Sequence, residues 1–400
     1  MADSHSLAVA QRSLGDPAVH YPLWPPLTSG CPRTSSAEFA YPVEVDYDYE
    51  RVPGELFPDS WNGDGLERWA PLLPPLLAPG LGEGGTPLVE LAGNVYVKDE
   101  SRNPTWSHKD RLNRCAASAA VGVGAEGIVV ASSGNHGASA AAYAARAGLK
   151  CVVLASAGAP PAVESFLRAY GATVLTVPAD ARWPLLRRIV AEFGYHPVSN
   201  STRTHTGHAF GAEGYKTIAY EIFADLGVPD SVFVPTGYGE VLFGVWKGFV
   251  ELNRIGRTGR IPRMFSCEPA AGGPLAQAVA LGRDAMQVNV GPTAAYAIDT
   301  PVGGYRGVRT VRESGGAALL VDDAEMTRAQ NELCRNGLWQ EFSATAGLAG
   351  FRQRAQGEEF PGPVVCIATS SGFKDQGVAT GIPGATEPDW ETVREAVRRA

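Results

Sequence analysis

The sequence predicts an α/β protein with two lobes, each a parallel sheet flanked by helices. Three observations lead there. From Thr86 onward, short β-rich apolar runs alternate with helical patterns, and strands joined by crossover helices make right-handed βαβ units and parallel sheets. The 400 residues, 44% hydrophobic and 19% charged, supply enough apolar material for two lobes around a cleft. Clusters rich in Gly and hydroxyl groups fall just after the strands, where the ligand sites of such sheets lie.

Residues 1–84 are rich in Pro, Ser and turn formers, with prolines around Leu73–Pro74–Pro75 and only short helical patterns such as Gly65–Leu72, so they read as an arm packed over a body. Strands are expected at Val95–Lys98, Ile128–Ser132, Cys151–Ala155, Thr173–Val177, Val232–Pro235, Met264–Glu268 and Val364–Thr369. The expected division is a large lobe from 85–128 and 200–380, a small mobile lobe from 129–199, and a C-terminal helix within 381–400. Arg394, Arg398 and Arg399 on that helix read as a solvated face. No repeat of solenoid length is visible.

A net charge of -8, from 34 Lys and Arg against 42 Asp and Glu, argues against nucleic acid as a partner, which needs a clustered basic surface. No window approaches the ~20 apolar residues of a membrane span, and the opening residues lack a basic end and an apolar stretch, so a cytoplasmic location is expected. Cys31, Cys115, Cys151, Cys267, Cys334 and Cys366 are scattered without a C-x-x-C pair; they read as buried free thiols, not bridges, and no zinc or other metal is expected.

Four clusters carry the chemistry. In the first, Lys98-Asp99-Glu100 through Lys109-Asp110-Arg111, Ser107 and Asp110 look like a capping box that places Lys109 in the first turn of a helix. The helix dipole and neighbouring Arg111 there disfavour its charged form, which suits a nucleophilic amine, the alternative being a surface lysine beside a cap. In the second, Ser132-Ser133-Gly134-Asn135-His136 joins a strand to a small-residue helix, where free amides and hydroxyls make a seat of carboxylate size. The third, Gly237-Tyr238-Gly239-Glu240-Val241, fails as a dinucleotide fingerprint and as a Walker loop but suits a monophosphate. In the fourth, Thr369-Ser370-Ser371, a hydroxyl could meet a heterocyclic nitrogen. Taken alone, the second and fourth are ordinary turns.

In this order the clusters resemble the fold-type II pyridoxal-phosphate enzymes, of tryptophan synthase β-like architecture, and within them the threonine synthase group, with cysteate synthase a near relative. The resemblance runs from Gly84-Gly85-Thr86-Pro87-Leu88 to Asp375. It includes Asn103-Pro104-Thr105, Glu213-Gly214-Tyr215-Lys216-Thr217, Trp246-Lys247-Gly248-Phe249 and a worn Gln340-Glu341-Phe342-Ser343-Ala344. It implies pyridoxal 5'-phosphate held by Lys109 as a Schiff base, with Asn135 on the ring hydroxyl, Gly237, Tyr238, Gly239, Glu240 and Val241 around the phosphate, and Thr369 at the ring nitrogen. Ser132, Ser133, Asn135 and His136 would bind the substrate carboxylate, and Lys98, Asn200 and Ser201 would lie near its side chain. The resemblance further implies a homodimer.

The implied reaction is removal of the α-proton of an amino acid by the Lys109 amine, then loss of a side-chain leaving group. Loss from the γ-carbon of O-phosphohomoserine with hydration at the β-carbon gives threonine; loss from the β-carbon, as with O-phosphoserine, gives elimination or replacement. An inactive ligand-binding relative is the non-enzyme alternative. Several positions depart from the family. Trp106 and His108 stand where Gly and Phe are usual, His108 being expected to stack or hydrogen-bond. Gly211 stands where an arginine often grips the substrate phosphate, with Arg203 a candidate replacement. Glu240 puts an acid in the phosphate loop, its side chain expected to point away.

Overall fold

The computed structural model describes residues 5–57, 65–156, 161–375 and 389–399. In chain order its strands are β1 (Ala8–Ser13), β2 (His20–Pro22), β3 (Val43–Tyr47), β4 (Leu88–Ala92), β5 (Val95–Asp99), β6 (Gly127–Val130), β7 (Lys150–Ala155), β8 (Thr173–Thr176), β9 (His196–Pro197), β10 (Ser231–Pro235), β11 (Arg263–Pro269), β12 (Ala318–Val321) and β13 (Val364–Ala368). They form a six-stranded sheet ordered β12-β11-β10-β13-β5-β4, a four-stranded sheet β8-β7-β6-β9 and a three-stranded sheet β2-β1-β3. The first is parallel apart from the β4–β5 hairpin, the second wholly parallel, and the third antiparallel. All seven expected strands are present, shifted by a residue or two at their ends.

Continuous apolar runs fill the centre of the six-stranded sheet because helices cover both faces. β10 and β13 are buried along their whole length, and Phe233 and Phe265 stack at 4.4 Å. The helices that shape the cleft are α1 (Lys109–Gly122), α2 (Asn135–Arg146), α3 (Pro161–Ala169), α4 (Arg182–Phe193), α5 (Gly211–Gly214), α6 (Lys216–Leu226), α7 (Glu240–Arg254), α8 (Pro274–Ala280) and α9 (Tyr305–Ser314), followed by α10 (Asp323–Arg335), α11 (Ala346–Arg354) and α12 (Trp390–Arg399). α1 is buried from Asp110 to Ala120 and packs against α2 and α5. Its alanines permit the approach, as does Gly214, where a Cβ would stand 2.0 Å from the Arg111 carbonyl oxygen.

The N-terminal arm contains more order than its composition announces. Val43–Tyr47 alternates apolar and acidic residues as a strand should, and Glu44 joins the arm to the body: it meets Arg12 of β1 at 2.8 Å and Lys247 of α7 at 3.1 Å. The Val45 amide donates to Glu213, and Lys247 donates to the Val45 carbonyl. Of the six cysteines, five are buried, whereas Cys334, expected to be buried, is exposed: α10 turns Met326, Ala329 and Leu333 inward and leaves it on the other face. α12 lies within the expected 381–400 helix, and residues 381–388 of that expectation fall outside the described residues.

Candidate active site

Lys109 is the first residue of α1, at the end of a turn clamped from the carboxyl end of β13. The His108 amide and its Nδ1 both donate to the Thr369 carbonyl at 3.0 Å, and Ser370 Oγ donates to the Trp106 carbonyl. This clamp displaces the expected capping box. Ser107 bridges to Ser370 instead, and Asp110 accepts from the Thr105 amide at 2.7 Å, the Thr105 hydroxyl at 2.5 Å and the Ser139 hydroxyl at 2.6 Å. The Lys109 ammonium donates to the Tyr215 hydroxyl at 3.2 Å. Burial holds its pKa below the ordinary lysine value, with the Glu240 charge opposing the shift. Arg111, expected to contribute to that shift, is paired with Glu100 at 2.7 Å and Glu221 at 2.6 Å, and the lowering of Lys109 comes from its burial.

Burial, aided by the Lys109 charge, holds His108 neutral, and its ring stacks on Tyr215 at 5.4 Å. Trp106 adopts a left-handed φ of 63°, where the family's usual Gly carries no strain. Its ring packs edge-on against Phe166 of α3 at 5.3 Å and close to Phe373.

α2 begins at Asn135 after the turn Ser132-Ser133-Gly134, leaving its first amides free. Gly137 is required there, since a Cβ would lie 2.3 Å from the Ser132 carbonyl oxygen. Ser132, Ser133 and His136 are partly accessible, and His136 Nε2 has no partner; burial pushes the His136 pKa down to about 3. Asn135, expected to face a ring hydroxyl, has its amide engaged: it donates to Glu341 at 2.7 Å and accepts from Lys374 at 2.8 Å and Ser370 at 3.1 Å.

The loop from β10 to α7 carries Gly237, Tyr238 and Gly239, the last left-handed at φ 84° and backed by Gly307 of α9, so that the first amides of α7 are free beside it. Glu240, expected to point away, turns inward. Its Oε2 lies 3.8 Å from His205 and its Oε1 4.0 Å from Arg306, without a hydrogen bond, and its charge reaches Lys109 and His136.

The positions expected near the substrate side chain are held by other partners. Lys98 is fully enclosed, 2.8 Å from Glu221 and 2.5 Å from the Thr86 carbonyl, in the ion cluster beneath α1. The Asn200 amide shapes its own loop, accepting from the Thr206 amide and the Thr202 hydroxyl and donating to the Thr202 carbonyl. Ser201 is buried, with its carbonyl bound by Arg187. A Cβ at Gly211 would meet Leu112 at 2.9 Å, so no side chain extends from it without moving α1, and Arg203 is exposed.

Sequence reasoning missed the roles of Tyr215, His205 and Arg306. Tyr215 was visible in Glu213-Gly214-Tyr215-Lys216-Thr217 but gave no sign that its hydroxyl meets Lys109. His205 and Arg306 sit in segments with no motif.

A lysine amine of depressed pKa at one helix start, facing a second helix start and a glycine loop at the head of a third, defines a fold-type II pyridoxal-phosphate enzyme. The chain matches the pyridoxal-phosphate dependent enzyme family over residues 80–370 and belongs to it. It is 30% identical over 381 residues to the threonine synthase of Methanosarcina acetivorans, covering 89% of this chain and 92% of that one. It is 35% identical over 344 residues to the threonine synthase of Halalkalibacterium halodurans, covering 80% and 91%. Maize serine racemase shares the fold, with a TM-score of 0.62 at 19% identity over 78% of this chain and 93% of that one.

The cofactor of the family is pyridoxal 5'-phosphate, and the residues fit it: the Lys109 amine for its aldehyde, the Gly237–Gly239 loop with the α7 amides for its phosphate, and the buried hydroxyl of Thr369 for its ring. Glu240 is the one acid within that loop and helix start.

Proposed function

We propose that this enzyme removes the α-proton of an amino acid and expels a leaving group from its side chain, as a threonine synthase-like lyase or transferase. The observation that carries the reading is the Lys109 amine, low in pKa and bonded to Tyr215, among three helix starts. Pyridoxal phosphate supplies the aldehyde that takes the amino group and the ring that accepts the electron pair. Lys109 takes the α-proton, and the Tyr215 hydroxyl orients its amine. The α2 amides with Ser132 and Ser133 hold the carboxylate, and His136 stands beside them with an open Nε2. His108 braces the turn, and Trp106 packs edge-on against Phe166 of α3 beside it.

The resemblance to the threonine synthase group favours O-phosphohomoserine, with loss of phosphate from the γ-carbon and hydration at the β-carbon, and the similar proteins named above are threonine synthases. A β-substituted amino acid such as O-phosphoserine is the second reading, favoured by Gly211 and by the engagement of Lys98 and Asn200. Incubating the holoprotein with each phosphoester and measuring phosphate and threonine decides between them: phosphate from O-phosphoserine alone sinks the threonine synthase reading, and threonine from O-phosphohomoserine establishes it. A homodimer in the cytoplasm completes the proposal, on the resemblance alone. Among the described residues no helix is long and apolar enough to cross a membrane.

A further inference from the structure

The cofactor loop holds a buried carboxylate where an anion is to bind. Glu240 is the first residue of α7, directly after Gly239, and is 9% exposed with one oxygen unpartnered. On one side stands His205, itself 4% exposed, whose ring lies flat on Tyr238 of the same loop at 4.1 Å. On the other is Arg306 of α9, 2% exposed, which donates to the carbonyls of Thr206 and Val43. Its guanidinium lies 4.0 Å from Glu240 Oε1, without a hydrogen bond. Lys109 from α1 and His136 from α2 complete the groups around the carboxylate, and Glu213 and Glu44 act on Arg306 from behind.

A phosphate dianion placed on the α7 amides adds two negative charges beside the one Glu240 already holds. With Glu240, His205 and Arg306 all buried, solvent screens these charges less than it would at a surface. Among the described residues the neutral base nearest the carboxylate is His205, its Nε2 3.8 Å from Glu240 Oε2, and it can accept a proton.

We propose that the cofactor phosphate enters this loop together with a proton from solvent, taken up by the Glu240–His205 pair, so that cofactor affinity falls as pH rises. The inference rests on the assignment of this loop to the phosphate. Without ligand, burial keeps His205 at about 4 and so neutral, while Arg306 and Lys109 keep Glu240 ionised against burial, so the pair holds no extra proton near neutrality. An adjacent dianion raises both, which is the direction of uptake.

The test is calorimetric titration of the apoprotein with pyridoxine 5'-phosphate, which carries ring and phosphate but no aldehyde and so forms no bond to Lys109. Measured between about pH 7 and pH 9, where the ligand's phosphate is already a dianion, in two buffers of different protonation enthalpy, the wild type is expected to take up close to ~1 proton, with Kd rising up to about tenfold per pH unit. Glu240→Gln is expected to bind more tightly at the alkaline end, with little uptake and a flat pH dependence. Lys109→Ala is expected to retain the uptake, which separates the pair from the lysine. Binding without uptake in the wild type, or undiminished uptake in Glu240→Gln, overturns the coupling. A wild type that does not bind the probe overturns the phosphate assignment itself.

Discussion

Replacing Lys98 by Met separates a scaffold role for this ammonium from a substrate role. Its Nζ is fully enclosed between Glu221 and the Thr86 carbonyl, and methionine fills nearly the same volume, so the change removes charge without opening a cavity. Glu221 keeps a two-pronged contact with Arg111, at 2.6 and 2.8 Å. Removing one member of a buried ion pair costs about 3–5 kcal/mol, and the surviving contact puts Lys98→Met near the lower end, about 3 kcal/mol. With an unfolding entropy of ~2.1 cal/mol/K per residue, a chain of 400 residues loses about 3–4 °C in Tm. Glu221→Gln uncovers both cations and is expected to cost about 5 kcal/mol, near 6 °C. Thermal unfolding of the apoprotein, followed by circular dichroism, reads both. A Lys98→Met protein whose Tm stays within about 1 °C while its KM for an anionic substrate rises about tenfold would refute the scaffold argument.

Tyr215→Phe removes the acceptor that stabilises the charged form of Lys109, so the ascending limb of the kcat–pH profile moves to lower pH while kcat falls about tenfold, the equivalent of one hydrogen bond; an unmoved profile counts against an orienting role. Gly137→Ala forces the first turn of α2 off the Ser132 carbonyl and is expected to cost about 1–3 kcal/mol and to weaken amino-acid binding, both measurable by thermal shift with and without ligand. Acid destabilises the apoprotein through its buried histidines. His196, joined to His208 through Nε2 at 2.8 Å, is pushed by burial from 6.5 to about 4, so the unfolded chain binds its proton first. Stability is therefore full above about pH 6.5 and falls as pH drops towards 4, by about 3 kcal/mol from this residue alone; a flat Tm between those values counts against it.

The central strands were legible because burial on both faces writes them as continuous apolar runs: Ser231–Pro235 and Val364–Ala368 need no partner in view to be recognised. β4 and β12 are edge strands, half buried and mixed in pattern, and β9 has two residues. The strands of the arm were illegible for another reason. β3 depends on Glu213 and Lys247, which lie far along the chain, and the Pro- and Ser-rich turns around it dominate its composition.

The same distinction runs through the site. Features written in the backbone, the helix starts after Ser133 and Gly239 and the lysine at the head of α1, follow from local residues and were found. Partners chosen by side chains were not: Asn135 bonds Glu341 206 residues away, and Lys98 is claimed by a carboxylate on α6. Departures from the family pattern proved the better guide, since each marks a place where this chain solves a different physical problem. Trp106 holds a left-handed conformation that costs a bulky side chain about 1–3 kcal/mol, and the edge-on contact with Phe166, worth about 0.5–1.5 kcal/mol, offsets only part of that. Such strain persists only where surrounding contacts fix the turn, and here the Thr369, Ser370 and Ser371 bonds do so from the opposite strand. The tryptophan therefore belongs to the device that fixes Lys109 in the cleft, and replacing it changes how the turn meets α3 before it changes the chemistry of the amine.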